Sequence, residues 1–191
     1  MKFFEQFPPP ERDEPEPEEQ PPPSWAKPET VLGAAVPVEV VLARGGEAAV
    51  GLSRVTAYPN GFTFSITAVL RQEDRRGRVF RLGFHRELFE EPVSDEFFRV
   101  GVQFADGGVA TNLGFPALPP DAEPAAPLLL QNGGGGGGRR YDMGFWVWPL
   151  PPPGPVTFVC EWPAYGIAET RIDMDAGPIL DAAERAVPLW P

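Results

Sequence analysis

From Val36 onward, apolar and polar residues alternate with a period of two, the spacing that turns one side of a strand inward and the other outward. In "VPVEVVLA", Val36, Val38, Val40 and Leu42 share a side. The clearest strand is "GFTFSITAVLR", where Phe62, Phe64, Ile66, Ala68 and Leu70 alternate with Thr63, Ser65, Thr67 and Val69. Pro59, Asn60 and Gly61 join it to "EAAVGLSRVTAY", and Asn-Gly is expected to supply the positive φ of a tight hairpin. A second hairpin pairs "FFRVGVQF" with "VATNL" across Asp106-Gly107-Gly108. "VTFVCEW" puts Val156, Phe158, Cys160 and Trp162 on one side; "AETRIDMD" follows it, and a surface ion pair is expected between Glu161 and Arg171. The charged stretch between the hairpins predicts one short strand, Val79 to Phe84.

One segment breaks the inside–outside rule. In "YDMGFWVW", Tyr141, Met143, Phe145 and Val147 form one side, and Asp142, Gly144, Trp146 and Trp148 the other. Both sides end apolar, so something beyond the paired sheets must cover the two indoles. The candidates are the chain's own C-terminal helix, Trp190 beyond it, the Phe3–Phe7 cluster, the long glycine loop, or a ligand or partner resting on an aromatic platform.

Nine strand candidates with hairpin turns and no interleaved helices predict an all-β fold: an antiparallel β-sandwich of immunoglobulin-like character. One short C-terminal helix is predicted at about 176–187, with Asp175 as a cap, Pro178 in the first turn and Pro188 as its stop. Leu189 and Trp190 are expected to fold back onto the sheet. Residues 114–138, rich in Pro, Ala and Gly, are expected to form one long flexible loop that ends in the hexaglycine Gly133–Gly138.

Composition separates the start of the chain from the rest. Residues 1–30 carry eight acidic and three basic residues and a dense set of prolines, so this arm is expected to be disordered, with residues 31–191 forming the domain. The arm's tip holds Phe3, Phe4 and Phe7, which either dock on the protein's own sheet or engage a partner. The formal net charge of −11 opposes binding to nucleic acid. No run has the length of a membrane span, and the start lacks the uninterrupted apolar stretch of a signal peptide, so a cytoplasmic location is expected. The single cysteine, Cys160, excludes an internal disulfide and reads as a small buried hydrophobe.

Candidate chemistry is sparse. His85 is the only histidine, and neither GxSxG nor HExxH occurs. The glycine run before Arg139 and Arg140 lacks the lysine and hydroxyl of a phosphate loop. Asp142, Asp173 and Asp175 are ordinary in number for an acidic chain, and Asp175 has the helix to cap. No catalytic residue, metal site or cofactor is therefore assigned.

The stretch from "RRYDMGFWVWPLPPPGPVTFVCEW" to "AVPLWP", with "MKFFEQFPPP", "AYPNGFTF" and "VGVQFADG", resembles uncharacterised proteins of high-GC Gram-positive bacteria. The excess of arginine over lysine, fourteen to two, agrees with such a source. The resemblance implies no activity and carries over no functional residue. The expected function is a non-catalytic binding or scaffolding module for protein partners, using Trp146, Trp148, Phe3, Phe4 and Phe7. The alternatives are a carbohydrate- or small-ligand-binding domain on the same indoles, and an enzyme of unknown reaction.

Overall fold

The computed structural model describes residues 21–75, 79, 92–114 and 123–190. Phe3, Phe4, Phe7, His85 and most of the strand expected at Val79–Phe84 lie outside the described residues. The described chain is built almost wholly of antiparallel strands, with one α-helix. In order they are β1 (Val31–Leu32), β2 (Ala34–Val36), β3 (Val40–Arg44), β4 (Ala48–Tyr58), β5 (Gly61–Leu70), β6 (Arg99–Gln103) and β7 (Val109–Thr111). β8 (Leu128–Gly137), β9 (Arg140–Trp148), β10 (Pro155–Trp162) and β11 (Ile167–Asp175) follow, then α1 (Gly177–Glu184) and β12 (Val187–Pro188).

The strands form two main sheets. One has the order β2-β4-β5-β9-β8, with β3 also paired to β4; the other has the order β11-β10-β6-β7. β1 and β12 make a separate two-stranded ribbon. The apolar sides read from the sequence meet in one core. Phe62, Phe64 and Ile66 of β5 are buried, as are Phe145 and Val147 of β9 and Phe158 and Trp162 of β10. Phe64 stacks on Phe145 at 5.2 Å within its sheet and meets Phe158 of the other sheet edge-on at 5.2 Å. Aromatic pairs of this geometry add to the area term and fix how the layers sit against each other. α1 buries Ile179, Ala182 and Ala183 against β4 and β2 at one end of this core.

Several expectations are corrected. Residues 128–137 are not loop but strand β8, paired with β9 from Leu128↔Trp148 to Gly137↔Arg140. Glycine tolerates this position because its neighbour leaves no room for a side chain. A Cβ at Gly136 would press on the Arg140 carbonyl oxygen and lie 2.6 Å from Tyr141 Cα, and one at Gly134 would lie 2.9 Å from the Asp142 carbonyl oxygen. The turn needs glycine too, since Gly138 has φ +64°.

The helix ends at Glu184 rather than near 187, because Val187 and Pro188 pair with Leu32 and Val31 instead. Asp175 accepts the Gly177 N–H at 3.0 Å, one residue ahead of the helix's capping position, Ala176. Leu189 and Trp190 do not fold back: they are 51% and 70% exposed. Neither Asn60 nor Gly61 has a positive φ, so the β4–β5 turn is made by Pro59-Asn60 without it. Glu161 pairs with Arg99 at 2.5 Å, its direct cross-strand neighbour on β6, and Arg171, which stands opposite Val159 rather than Glu161, pairs with Glu169 at 3.0 Å.

Candidate binding surface

The question raised by Trp146 and Trp148 is answered from within the chain. Both indoles are buried, at 2% and 8% exposure, in a small second cluster with Tyr58 and Leu128. Trp25, Val31 and Leu130 pack against it. The indole N–H of Trp146 donates to the carbonyl of Trp25 at 2.9 Å, and Tyr58 meets the ring edge-on at 5.7 Å. Gly61 makes room for this ring, since a Cβ there would lie 2.6 Å from it. Asn60 holds the cover in place by donating to the carbonyls of Ser24 and Ala26, both at 2.8 Å. The cover is therefore the segment from Ser24 to Val31, and the arm expected to be disordered through residue 30 is packed over its last residues. Trp146 and Trp148 are not an open platform, so neither indole offers a stacking face to sugar or peptide. Of the residues singled out in the sequence, these two come together; Phe3, Phe4 and Phe7 lie outside the described residues.

The outward side of the four-stranded sheet is different. Its four strands place residues in register across it: Arg171 beside Val159, Val159 beside Gly101, and Gly101 beside Thr111. Gly101 contributes no side chain where its row would otherwise be filled, and a hollow of about 300 Å³ opens over Gly101 and Val159. Glycine inside a strand commonly marks such a close approach. Val109 and Leu113, 57% and 36% exposed, form an apolar wall.

Charged pairs close the two ends of the hollow. At one end Arg99 bonds Glu161 and also lies 3.6 Å from Asp95; its Nε is buried with no hydrogen-bond partner among the described residues. At the other, Arg171 reaches Glu169 at 3.0 Å and Gln103 at 3.5 Å. The Arg171 pair is more than half exposed at both partners, so it holds little stabilising energy and can exchange partners readily. Cys160 lies beneath the hollow, but its side chain belongs to the core, and burial pushes its thiol up to about 11. A thiol held protonated in this way is a poor nucleophile.

A third feature sits at the β8–β9 hairpin tip. Asp142 accepts from Arg140, Arg54 and the Thr67 hydroxyl. The Arg140 bond, helped by those from Thr67 and Arg54, holds its carboxyl below the usual carboxylate range against the opposing effect of burial. Behind it, burial and then the hydrogen bond to Asp74 push the Tyr141 phenol up to about 12. Among the described residues no three metal-ligating side chains cluster, and no helix is long and apolar enough to cross a membrane.

The groove residues were missed in the sequence. Their signal was the glycine at the centre of "RVGVQ" opposite the valine of "TFVCE". No protein family, curated protein or solved structure matches this chain.

Proposed function

We propose that this protein is a non-catalytic binding module for protein partners, and that the partner docks on the outward side of the four-stranded sheet. The observation that carries this reading is the Gly101–Val159 hollow, an apolar depression at the middle of an otherwise polar sheet side, bracketed by an arginine at each end. Its dimensions suit one apolar side chain of an extended segment. Arg171, the more exposed arginine, suits a carboxylate or carbonyl beside that side chain. The one thiol nearby is buried and not activated.

The finer fold assignment belongs to the same proposal: the two facing sheets are read as an immunoglobulin-like β-sandwich. The working location is the cytoplasm, supported by an acidic chain with a single, unpaired cysteine.

The test is a photo-crosslinking side chain placed at Val109, on the rim of the hollow. The proposal expects discrete crosslinked partners that disappear when Thr111→Trp fills the hollow and persist when the distant Glu47 is changed to Gln. The same partners captured with Thr111→Trp would refute it.

A further inference from the structure

A strand that is apolar on both sides needs cover on both, and β1 fits that description as β9 does. Val31, on one side of β1, packs against the cluster of Trp146 and Trp148. The pairings Val31↔Pro188 and Leu32↔Val187, continued by the Leu189 N–H that donates to the Thr30 carbonyl at 2.8 Å, fix what lies on the other side. Residues directly opposite each other share a side, and so do alternate residues along a strand. Leu32, Val187 and Leu189 therefore stand together, with Thr30, on the side turned away from the cluster. They are 62%, 56% and 51% exposed.

Trp190, 70% exposed, follows at the border of this side. Four of the eight large apolar side chains exposed among the described residues thus gather on one two-stranded ribbon. Together they present roughly 400 Å² of apolar surface, the size of patch that on a monomer often serves an interaction. A two-stranded ribbon gains little stability from its own pairing, so cover on its second side matters to it.

Two observations point to a second copy of the chain as that cover. The first is the absence of charge: Thr30, Leu32, Val187 and Leu189 are all uncharged. Such a side offers a distinct partner no charged group to select it, whereas under a two-fold axis a flat apolar side complements itself. The second is area. Two such patches contribute roughly 800 Å² of apolar surface, and homodimer interfaces are about 65% apolar at their core. The whole contact then comes to roughly 1,200 Å², the lower bound of specific, stable interfaces. The position also suits a pair. The ribbon lies over the outward side of the six-stranded sheet, and the Gly101–Val159 hollow opens on the outward side of the other sheet. Joining two copies at the ribbon leaves both hollows free.

We propose that two copies of this chain associate through the outer sides of their β1–β12 ribbons, burying Leu32, Val187 and Leu189 of each copy and leaving Trp190 at the rim with its indole nitrogen in solvent. A contact of this size is reversible, since the cost of association takes up much of what the apolar area contributes. Each copy carries a net charge of −11, so the two repel one another away from the contact. Salt screens that repulsion and leaves the apolar contact in place, so the dimer tightens as salt rises.

The test is sedimentation of the full chain from about 5 μM to about 500 μM, a range that spans weak dimer constants. Wild type is expected to pass from monomer to dimer mass, and to do so at lower concentration when salt is raised from about 0.05 M to about 0.5 M. Leu32→Thr with Leu189→Thr keeps good strand formers at exposed positions and takes four leucines out of the contact, so the dimer is expected to weaken at least tenfold. Val187→Thr, which keeps the shape and adds a hydroxyl, is expected to weaken it severalfold. Slow exchange of the Trp146 indole N–H in each variant reports that the cover beneath the ribbon is intact. Thr111→Trp, in the hollow, is expected to leave the dimer unchanged. A monomer mass at every concentration in wild type, or a dimer that the threonine variants leave equally tight, would overturn the proposal. A dimer dispersed by Thr111→Trp would assign the contact to the hollow and overturn it equally.

Discussion

Two neighbouring glycines of β8 should respond in opposite directions to the same substitution. At Gly136 the backbone has φ +156°, and an added Cβ would meet main-chain atoms of β9, the Arg140 carbonyl oxygen and Tyr141 Cα at 2.6 Å. Main chain in a paired strand has no rotamer to escape into. Gly136→Ala must therefore shift the strand or break local pairing, and the cost of holding an unsuitable backbone geometry is about 1–3 kcal/mol. At Gly137 an added Cβ meets nothing within 4 Å, and φ is not in the left-handed region. There Gly→Ala mainly reduces the freedom of the unfolded chain and stabilises by about 0.4–1 kcal/mol. In a domain of this size 1 kcal/mol moves Tm by about 2–4 °C. Taking the middle of each range, Gly136→Ala should lower Tm by roughly 4–8 °C and Gly137→Ala should raise it by roughly 1–3 °C, both read by circular dichroism. Equal effects, or a larger loss at Gly137, would refute the claim that the run is a strand with alternate residues pressed on β9.

Other consequences can be measured separately. Trp25→Ala strips half-buried apolar cover from Trp146 and Trp148, so it should cost about 1–2 kcal/mol and raise acrylamide quenching of the tryptophan fluorescence. Tyr141, raised to about 12 by burial and by Asp74, contributes stability that is whole below pH 10, the ordinary tyrosine value, and is lost as pH rises toward 12. Asp74→Asn should bring that loss to lower pH, as read by ultraviolet titration of the phenols. Asp142, lowered chiefly by Arg140, contributes stability present above the ordinary carboxylate value and lost as pH falls through its folded value. Asp142→Asn should flatten the acid limb of a Tm–pH profile. Cys160, buried with its thiol raised to about 11, should resist a thiol reagent at pH 8 until the protein unfolds.

The sequence disclosed the strands whose alternation is carried by large side chains. β5, β9 and β10 bury Phe, Ile and Trp at every second position, and period two is visible in each without knowledge of its neighbours. β8 was not visible, because glycine carries no side chain to alternate and its fitness here depends on how close β9 passes. Nor was the cover over Trp146, whose partner Trp25 lies 121 residues away in a stretch that composition marks as an arm. That something had to cover the indoles was legible; which segment did so was a matter of tertiary contact.

The same limit governs the groove and the ion pairs. Gly101 is a glycine within a strand, but only the three-strand register sets it beside Val159 and Thr111. Glu161 and Arg171 have the right parity for a pair, but the register sets Arg171 opposite Val159 and Glu161 directly opposite Arg99 of β6. Asn60 was read for its backbone, whereas its amide is spent on anchoring Ser24 and Ala26.

The most direct measurement is exchange of the indole N–H protons of the five tryptophans, resolved by 15N labelling. With Trp146 bonded to the Trp25 carbonyl and Trp162 bonded to the Glu96 carbonyl, both should exchange slowly, while Trp190, 70% exposed, exchanges at once. A Trp146 proton that exchanges as fast as that of Trp190 would contradict the internal cover and return that side of the sheet to solvent or to a partner.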